Sequence, residues 1–429
     1  MKSFQRSEAF LERAQRTIPL GSQTFSKSRT QYPHGVSPYF ITRGQGSRVW
    51  DLDGNEYIDF VSSLCSVTLG YQDPDVTNAV RTQLDESGVI FSLPHPLEAE
   101  VAELICEMVP CAEMVRFGKN GSDATSGAIR LARAWTERDR VAVSGYHGWQ
   151  DWYIGSTARN RGVPQATREL THTFTYNNLE SLETLLKAHP GEFAAVILEP
   201  MNVAEPQPGF LEGVKALAHA HGALLVFDET ITGFRYANGG AQQLFGVTPD
   251  LATFGKGLAN GYPVSAVAGR ADVMKLMEEI FFSFTFGGEA LSLAAAKATL
   301  TKLKNEPVVQ TIEARGRAVI DGTRQVIESA GLGDIFSMAG HPSWSFLMLK
   351  DARGATSFEI KTLLMQELHQ RGFLSVGTHN ISYAHSEADV QALLAAYGDI
   401  LPMIGRTLDA GTLRQSLRCE PLVPLFKVR

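Results

Sequence analysis

A lysine in a glycine-rich turn is the first residue of this sequence whose type and setting suggest covalent chemistry. Lys256 separates two strand-like runs, residues 251–254 and 264–268, and glycines stand on both sides of it. Glycines let the backbone turn tightly and let a bulky group approach it. Apolar neighbours such as Phe254 and Leu258 favour the neutral amine, which can condense with an aldehyde. The alternative interpretation is an ordinary solvated loop lysine.

A carboxylate precedes that lysine by 28 residues, at the end of another apolar run. Asp228 closes the strand-like segment 224–228, where a carboxylate without a cationic partner would be costly to bury. A protonated pyridine nitrogen is such a partner, and holding it protonated makes the ring an electron sink. An N-cap of the following turn is the structural alternative.

Two more candidate features follow strand-like runs upstream. At residues 119–123, the backbone N–H groups of Gly121 and Ser122 and the Ser122 hydroxyl open a helix and suit a phosphate; an N-cap is the alternative. Tyr146, followed by His147, offers an aromatic face on which a pyridine ring can stack, with simple packing as the alternative. Taken together, the phosphate turn, aromatic face, carboxylate and amine predict pyridoxal 5'-phosphate (PLP) as cofactor.

The elements that must position these residues alternate between strand and helix from about residue 114 to residue 268. Nearly all-apolar strands separated by amphipathic helices predict an α/β fold with a large, mostly parallel sheet covered on both faces. In such sheets ligands bind at the carboxyl ends of the strands, which is where the candidate residues lie.

The pattern changes on either side of this region. Residues 1–65 suggest a helix, a polar loop and a hairpin around Asp53 and Gly54, a segment expected to pack with the small domain and the active site. Residues 66–306 are predicted to form the large cofactor-binding domain, and residues 307–429 a smaller α+β domain with long helices and short strands.

Composition excludes several classes of function. With 429 residues and a formal net charge of −7, the chain offers no electrostatic case for nucleic acid or an anionic membrane surface. Its four cysteines form no close pair, so neither a metal site nor a disulfide framework is predicted. No window approaches a membrane span, and no signal peptide is evident, so a cytoplasmic protein is expected.

Several motifs carry a family resemblance. The segments WDLDGNEYIDF, MVRFGKNGSDATSGAIRLAR, VFDETITGFR, PDLATFGKG and FTFGG resemble those of the class III, fold type I aminotransferases. Within that class the chain is most similar to the group of glutamate-1-semialdehyde 2,1-aminomutases and related aminotransferases, from about residue 17 to residue 404.

The resemblance implies a role for each matching position. Lys256 would be the Schiff-base lysine, Asp228 the partner of the ring nitrogen and Tyr146 the stacking aromatic, with His147 beside it. Gly121 and Ser122 would bind the phosphate. Glu199 would lie near the ring oxygen, Ile231 would pack on the ring, and Thr285 would reach the phosphate of a neighbouring subunit. The resemblance therefore implies a homodimer with shared active sites.

The positions that differ from the aminomutases concern the substrate. Ser26 and Lys27 stand where the aminomutase has an arginine for the substrate carboxylate, and lysine is a point charge without a bidentate fork. The late segment 377–382, which contains His379 and Asn380, is shortened, and Glu289 replaces the usual asparagine. Ser26, Lys27, His379 and Asn380 are therefore the candidate substrate residues.

These observations favour a PLP-dependent aminotransferase that moves an amino group from a small-molecule donor, by default glutamate, to an aldehyde or ketone. Because neutral hydrogen-bonding residues replace the arginine, the acceptor is predicted to be polar and hydroxylated, such as a sugar. An intramolecular 2,1-aminomutase is the second hypothesis, and a racemase or epimerase the third. A non-catalytic binding protein that keeps the fold is the alternative of a different class.

Overall fold

The computed structural model describes residues 2–423, and its strands are numbered here in chain order. They are β1 (Ile41–Gln45), β2 (Arg48–Asp51), β3 (Glu56–Asp59), β4 (Met114–Gly118), β5 (Arg140–Ser144), β6 (Thr171–Thr173), β7 (Phe193–Leu198), β8 (Leu224–Asp228), β9 (Leu251–Phe254), β10 (Ser265–Gly269), β11 (Phe336–His341), β12 (Trp344–Leu349), β13 (Phe373–Leu374) and β14 (Thr378–Asn380).

The helices of ten or more residues are numbered in the same way. They are α1 (Gln5–Gln15), α2 (Pro74–Glu86), α3 (Pro96–Met108), α4 (Gly121–Thr136), α5 (Leu179–Ala188), α6 (Phe210–Ala220), α7 (Ala290–Asn305), α8 (Val308–Ser329), α9 (Ser357–Gln370) and α10 (Glu387–Asp409). Shorter helical segments are Asp151–Ile154, Gln165–Arg168, Ala241–Phe245, Ala271–Met274 and Leu413–Ser416, and 3₁₀ turns are Pro19–Gly21, Phe25–Lys27, Lys256–Ala259 and Lys275–Glu278.

The chain divides into two compact units, each described by itself. The larger unit comprises residues 66–68 and 74–309, and its seven-stranded sheet has the order β4-β10-β9-β8-β7-β5-β6. Strands β9, β8, β7, β5 and β6 run parallel, whereas β10 is antiparallel to both β9 and β4. The predicted α/β class with a mostly parallel sheet is confirmed.

The core of the larger unit explains why its strands are runs of consecutive apolar residues in the sequence. Every residue of β7, β8 and β9 is buried, because helices cover both faces of a parallel sheet. Small residues of α4, such as Ala124 and Ala128, pack with Val226 and Val267 of the sheet on one side. On the other side Leu182 of α5 and Val214 of α6 pack with Leu225.

The smaller unit contains residues 2–65, 69–73 and 310–423 and two sheets. The predicted hairpin is present, since β2 pairs antiparallel with β3 across a turn in which Gly54 has φ of 89°. The capping box of Ser386 and Asp389 at the start of α10 is also present. At the start of α9 the Thr356 side chain is the cap and accepts the hydrogen bond from Glu359 N–H.

One turn of the smaller unit has an unusual backbone. Four consecutive residues, Ser62 to Cys65, have φ between 43° and 68°, although none of them is glycine. The left-handed region costs an L-residue roughly 1–2 kcal/mol. The Asp59 carboxylate offsets part of that cost by accepting hydrogen bonds from Val61 N–H at 2.7 Å and Ser62 N–H at 3.1 Å.

Among the helices of residues 2–423, none combines the length and the apolar composition that crossing a membrane requires.

Candidate active site

A strand-end cluster gathers five of the predicted residues within the larger unit: Gly121, Ser122, His147, Asp228 and Lys256. Each follows or ends a strand of the sheet, namely β4, β5, β8 and β9. Because β8 and β9 are parallel neighbours, with Asp228 opposite Thr253, the Lys256 turn begins just beyond the Asp228 carboxylate. The sheet order therefore brings together residues that are up to 135 positions apart, from Gly121 to Lys256.

Asp228 is held by three hydrogen-bond donors although only 4% of it is exposed. Its Oδ2 lies 2.9 Å from His147 Nδ1, and its Oδ1 accepts from Thr230 N–H at 3.1 Å and from the Thr253 hydroxyl at 3.3 Å. Burial by itself would raise the pKa of Asp228, but the hydrogen bond and the charge of His147 outweigh it and hold the pKa below its usual range. The carboxylate is therefore ionised at neutral pH.

His147 is a partner of the Asp228 carboxylate that the sequence did not indicate. The His147 ring is fully buried, stacked near Trp152 and in edge contact with Tyr153. Within residues 2–423, no protein group hydrogen-bonds its Nε2 atom. A carboxylate has about four lone-pair positions, so Asp228 with its three donors retains capacity for one more donor.

Lys256 begins a 3₁₀ turn with φ of 44°, a conformation that L-residues adopt rarely. Such strain is maintained only where the surrounding structure enforces it, and it is concentrated at functional sites. A Cβ atom placed on the preceding residue, Gly255, would lie 3.7 Å from Gly121 Cα. The lysine turn and the predicted phosphate turn are therefore in contact.

The predicted phosphate turn is the N-terminus of α4, a helix of 16 residues. Its first N–H groups have no carbonyl partner within the helix and carry the positive end of the helix dipole. A Cβ atom on Gly121 would lie 2.9 Å from the Thr230 methyl group, so only glycine allows this approach. The Asp123 carboxylate accepts from Asn120 N–H at 2.7 Å and from Lys119 N–H at 3.2 Å, which fixes the turn.

The aromatic segment after β5 packs directly on that turn. Gly148 has φ of 105°, and a Cβ atom on it would lie 2.6 Å from Ser122 Cβ. Tyr146 precedes it, and its ring lies 5.6 Å from the Tyr153 ring in an edge contact. Phosphate turn, aromatic ring, carboxylate and amine thus form one contiguous set, and this set fits a PLP molecule.

Glu199 and Ile231 lie in the same unit. Glu199 Oε2 accepts hydrogen bonds from Tyr146 N–H at 3.2 Å and from the Asn202 amide at 2.7 Å. The Glu199 carboxylate lies so close to the backbone of residue 145 that glycine is required there, because a Cβ atom on Gly145 would lie 2.7 Å from Glu199 Oε2. Ile231 is buried, three residues beyond Asp228. Thr285, in contrast, lies in an exposed segment of the chain.

The predicted substrate residues belong to the smaller unit, where they differ in exposure. Ser26 and Lys27 are exposed, and Lys27 Nζ lies 3.3 Å from the Ser63 hydroxyl in the left-handed turn. His379 has no exposed surface, and its two ring nitrogens contact the Ser345 hydroxyl at 3.0 Å and the Tyr397 hydroxyl at 2.7 Å. The Asn380 amide donates to the Val61 carbonyl. His379 therefore has protein partners at both ring nitrogens, whereas Asn380 Oδ1 is buried without a hydrogen-bond partner within residues 2–423.

Sequence reasoning missed four residues around the cluster: Thr253, Asn202, Tyr153 and Lys119. Thr253 is the one polar residue of the buried strand β9, which is a signal that could have been noticed. Lys119 Nζ lies 3.0 Å from Glu289 Oε2, and both side chains are mostly buried. No local pattern indicates this pair, because its members are 170 residues apart.

Comparison with known proteins agrees with this site. A seven-stranded sheet with a lysine turn, a carboxylate and a phosphate turn at its strand ends defines a fold type I PLP enzyme. Residues 31–341 match the family model described as aminotransferase class-III, and the chain belongs to that family. The predicted family, the PLP-dependent class of enzyme and the cofactor are thereby confirmed.

Two curated relatives cover nearly the whole chain. The 3-aminobutyryl-CoA aminotransferase of Cloacimonas acidaminovorans is 34% identical over 94% of this chain and 98% of its own. The glutamate-1-semialdehyde 2,1-aminomutase of Roseiflexus castenholzii is 37% identical over the same shares of the two chains. The family thus includes both intermolecular and intramolecular enzymes among its similar members.

Solved structures give the same result. The FumI protein of Sphingopyxis sp. MTA144, in a PLP form, is 31% identical with a TM-score of 0.87 over 97% of this chain and 99% of that chain. An omega-transaminase from Sphaerobacter thermophilus is 28% identical with a TM-score of 0.84 over 93% of this chain and 98% of that chain.

Proposed function

We propose that this protein is an aminotransferase that moves an amino group from a small donor, by default glutamate, to an aldehyde or ketone acceptor with a polar, hydroxylated body such as a sugar. The observation that carries the proposal is the hydrogen-bonded Asp228 and His147 pair beside the Lys256 turn. It places an ionised carboxylate and an amine at adjacent strand ends, next to a helix N-terminus that suits a phosphate.

Each residue of the strand-end cluster has a distinct proposed role. Bound PLP supplies an aldehyde and a protonated ring that withdraws electrons. Asp228 accepts the N–H of that ring, and His147 orients Asp228. Lys256 Nζ anchors the cofactor, then removes the proton from the amino-bearing carbon of the substrate and returns a proton after the transfer.

The remaining predicted residues hold the cofactor in place. The backbone N–H groups of Gly121 and Ser122 bind the phosphate at the start of α4, and Tyr146 packs against the ring. Glu199 would lie near the ring oxygen, and Ile231 would pack on the ring. These roles are supported by the contiguity of the glycines at positions 121, 148 and 255 with their neighbours.

We also propose a homodimer in which Thr285 completes the phosphate site of the partner. The surface of the larger unit near Thr285 exposes large apolar side chains, including 81% of Phe281 and 58% of Phe286. Leu93 of the same unit is 79% exposed. Exposed apolar residues of this kind mark protein interfaces. The four free cysteines fit a reducing compartment, which supports a cytoplasmic location.

Absorbance measurements on the holoenzyme test this function. An amino donor should abolish the long-wavelength absorbance of the lysine-linked cofactor, and a carbonyl acceptor should restore it. A panel of amino acids and amines identifies the donor. If no amino compound changes the spectrum, the aminotransferase proposal fails.

A 2,1-aminomutase is the second candidate, and the similarity to the Roseiflexus castenholzii aminomutase favours it. A mutase moves the amino group within one molecule, so its amine-loaded form should exchange little with external keto acids. Rapid exchange with 2-oxoglutarate supports the intermolecular reaction, and slow exchange together with isomerisation of an amino aldehyde supports the mutase.

A further inference from the structure

Asparagine is followed by glycine at three places in the chain, and the first of these pairs is Asn120 with Gly121. In such a pair the glycine nitrogen can attack the side-chain amide of the asparagine, because glycine has no Cβ atom to hinder the approach. Asn120 is exposed and immediately precedes α4, where it belongs to the predicted phosphate turn. The pair therefore combines a reactive sequence with a position beside the proposed cofactor site.

The two reacting groups of this pair are weakly held. Gly121 is the first residue of α4, so its N–H has no acceptor within the helix. The Asn120 side-chain amide donates to Asp123 Oδ2 across 3.4 Å, which is longer than a typical hydrogen bond. The attacking nitrogen and the amide that it would attack can therefore meet once the turn opens.

The other two pairs, at Asn238 and Asn260, are held more firmly. Gly239 N–H donates to Gln243 Oε1 at 2.7 Å, and the Asn238 amide donates to the Leu303 carbonyl at 3.0 Å. Asn260 has only 9% of its surface exposed. These two pairs are therefore controls within the same chain.

Ring closure at Asn120 requires a rotation that the folded turn resists. The Asn120 backbone is extended, with ψ of 157°, so its side-chain carbon cannot reach the Gly121 nitrogen until the peptide rotates. That rotation breaks the hydrogen bond from Asp123 N–H to the Asn120 carbonyl, which is 3.0 Å long. A phosphate bound by the Gly121 N–H would oppose the same rotation. It would therefore slow the reaction, as any ligand does that binds only the closed turn.

We propose that Asn120 is a deamidation site which bound cofactor protects, so that PLP-free protein loses its cofactor affinity irreversibly with time. The Gly121 nitrogen bonds to the side-chain carbon of Asn120, and ammonia leaves with the proton of the Gly121 N–H. One water molecule then opens the cyclic imide to aspartate or isoaspartate, and the reaction needs neither an oxidant nor a reductant. This inference rests on the phosphate contact in the proposed function.

Both products disturb the phosphate turn. An aspartate at position 120 places a second carboxylate beside Asp123 and near the phosphate, and like charges repel each other. An isoaspartate adds a methylene group to the backbone and displaces the Gly121 N–H from the start of α4. We therefore expect deamidated protein to bind PLP at least about tenfold more weakly.

Peptide mapping by mass spectrometry tests the site after incubation of PLP-free protein and holoenzyme at mildly alkaline pH. The peptide that contains Asn120 should gain mass and isoaspartate in the PLP-free protein. It should do so about tenfold more slowly when PLP is about tenfold above its Kd. Asn238 and Asn260 should stay intact. Equal rates with and without PLP, or conversion of Asn120 no faster than of the other two, would overturn the proposal.

Three substitutions separate the reaction from its effect on the cofactor. Asn120→Ser cannot deamidate and should retain its PLP affinity throughout the incubation, whereas Asn120→Asp should bind PLP weakly without incubation. Asn305→Asp adds the same charge at the exposed last residue of α7 and should bind PLP normally. If Asn120→Asp binds PLP as tightly as Asn305→Asp, deamidation does not affect the cofactor and the proposal fails.

Failure of this inference and failure of the proposed function give different results. Fresh holoenzyme without amino transfer, in which PLP still protects Asn120, would refute the enzyme proposal alone. Amino transfer together with equal conversion of Asn120 in the presence and absence of PLP would refute only the deamidation proposal.

Discussion

Two sets of buried polar side chains in this protein differ in whether their polar atoms have hydrogen-bond partners within the protein. In the strand-end cluster of the larger unit, Asp228 keeps capacity for a further donor, and the Nε2 atom of His147 has no partner within residues 2–423. In the smaller unit, His379 is equally buried, but both of its ring nitrogens contact hydroxyl groups.

An unpartnered buried atom does not by itself mark a ligand site, because His369 Nε2, His385 Nε2 and Asn380 Oδ1 of the smaller unit also lack a hydrogen-bond partner within residues 2–423. What distinguishes the strand-end cluster from His379 is its position at the carboxyl ends of parallel strands. Burial removes water from both places, and a polar group then needs partners from the protein or from a ligand. The smaller unit supplies the partners of His379 itself. The larger unit leaves capacity at the ends of its strands, where a parallel sheet binds ligands.

The charge states of the two groups follow from the same contrast. His147 and other donors hold the pKa of Asp228 below its usual range despite burial. No carboxylate binds His379, and burial lowers its pKa to about 3. The strand-end cluster therefore contains an ionised carboxylate, Asp228, whereas the His379 ring of the smaller unit is neutral at pH 7.

Removing the lysine should give the largest effect and tests whether the strand-end cluster is the reactive one. We expect Lys256→Ala to lose amino transfer by roughly 10³-fold or more, because anchoring and proton transfer both require the amine. Steady-state rates and the absorbance spectrum measure this. Lys275→Ala, at an exposed lysine that follows in the same unit, should retain both. Near-normal turnover of Lys256→Ala would refute its assigned role.

Neutralising the carboxylate should give the next largest effect. Asp228→Asn keeps the shape but removes the charge that would hold a ring proton, so we expect kcat to fall roughly 10²-fold or more. The position of the cofactor absorbance band, measured against pH, should shift as well. An unchanged spectrum and rate would mean that Asp228 has only the structural role of a cap.

Three buried histidines of the smaller unit, His369, His379 and His385, should affect stability and its pH dependence. Burial lowers the pKa values of these three to about 4, 3 and 4. The unfolded chain therefore binds more protons than the folded one below about pH 6.5, and the free energy of unfolding should fall as pH decreases from there towards 4. The expected slope is roughly 1 kcal/mol per pH unit for each histidine.

His379→Gln sharpens this test, because glutamine bonds hydroxyls but does not titrate in this range. Unfolding by denaturant at a series of pH values should show a slope reduced by about a third. Amino transfer at pH 7.5 should change much less than in Asp228→Asn. A large loss of acceptor binding in His379→Gln would instead support the substrate role first predicted from the sequence.

The Lys119 and Glu289 pair should give the smallest effect. The pair lies beside the phosphate turn, and Glu289 also accepts from Leu291 and Ser292 N–H at the start of α7. Burial raises the pKa of Glu289, but hydrogen bonds from Ser292 and Lys119 outweigh it and lower the pKa. We expect Glu289→Gln, which keeps the cap, to cost about 1 kcal/mol of stability and to weaken PLP binding severalfold.

Thermal unfolding and equilibrium dialysis of PLP measure the two effects. Glu313→Gln is the matched control, because Glu313 forms an exposed pair with Arg317 in α8. If Glu289→Gln and Glu313→Gln behave alike, the Lys119 pair has no influence on the phosphate turn.

Much of the larger unit could be predicted because its signals are local. Apolar strands that end in polar residues, glycine turns and helical periodicity each involve only about ten consecutive residues. Positions such as Asp228 and Lys256 could therefore be identified from the sequence. The His147 to Asp228 hydrogen bond could not be predicted, since 81 residues separate the two and only the sheet order brings them together.

The smaller unit was harder to predict for the same reason. Residues 377–382 contain glycine, histidine, asparagine and serine, a composition typical of an exposed loop. In the structure β14 pairs with β12 inside the unit, and the side chains of His379 and Asn380 turn to partners on other segments. Polar composition alone does not distinguish an exposed binding loop from a hydrogen-bonded core.

The sequence by itself determined the α/β class, the family and the position of each candidate residue along the chain, because periodicity and turn chemistry are local properties. Only the tertiary structure decided which polar atoms acquire protein partners and which retain capacity for a ligand. Strand order and helix packing join residues such as Lys119 and Glu289, or Tyr153 and Gly145, through contacts that no local pattern encodes. Lys256 was identified from its turn, whereas the hydrogen bond between His147 and Asp228 became visible only in the fold.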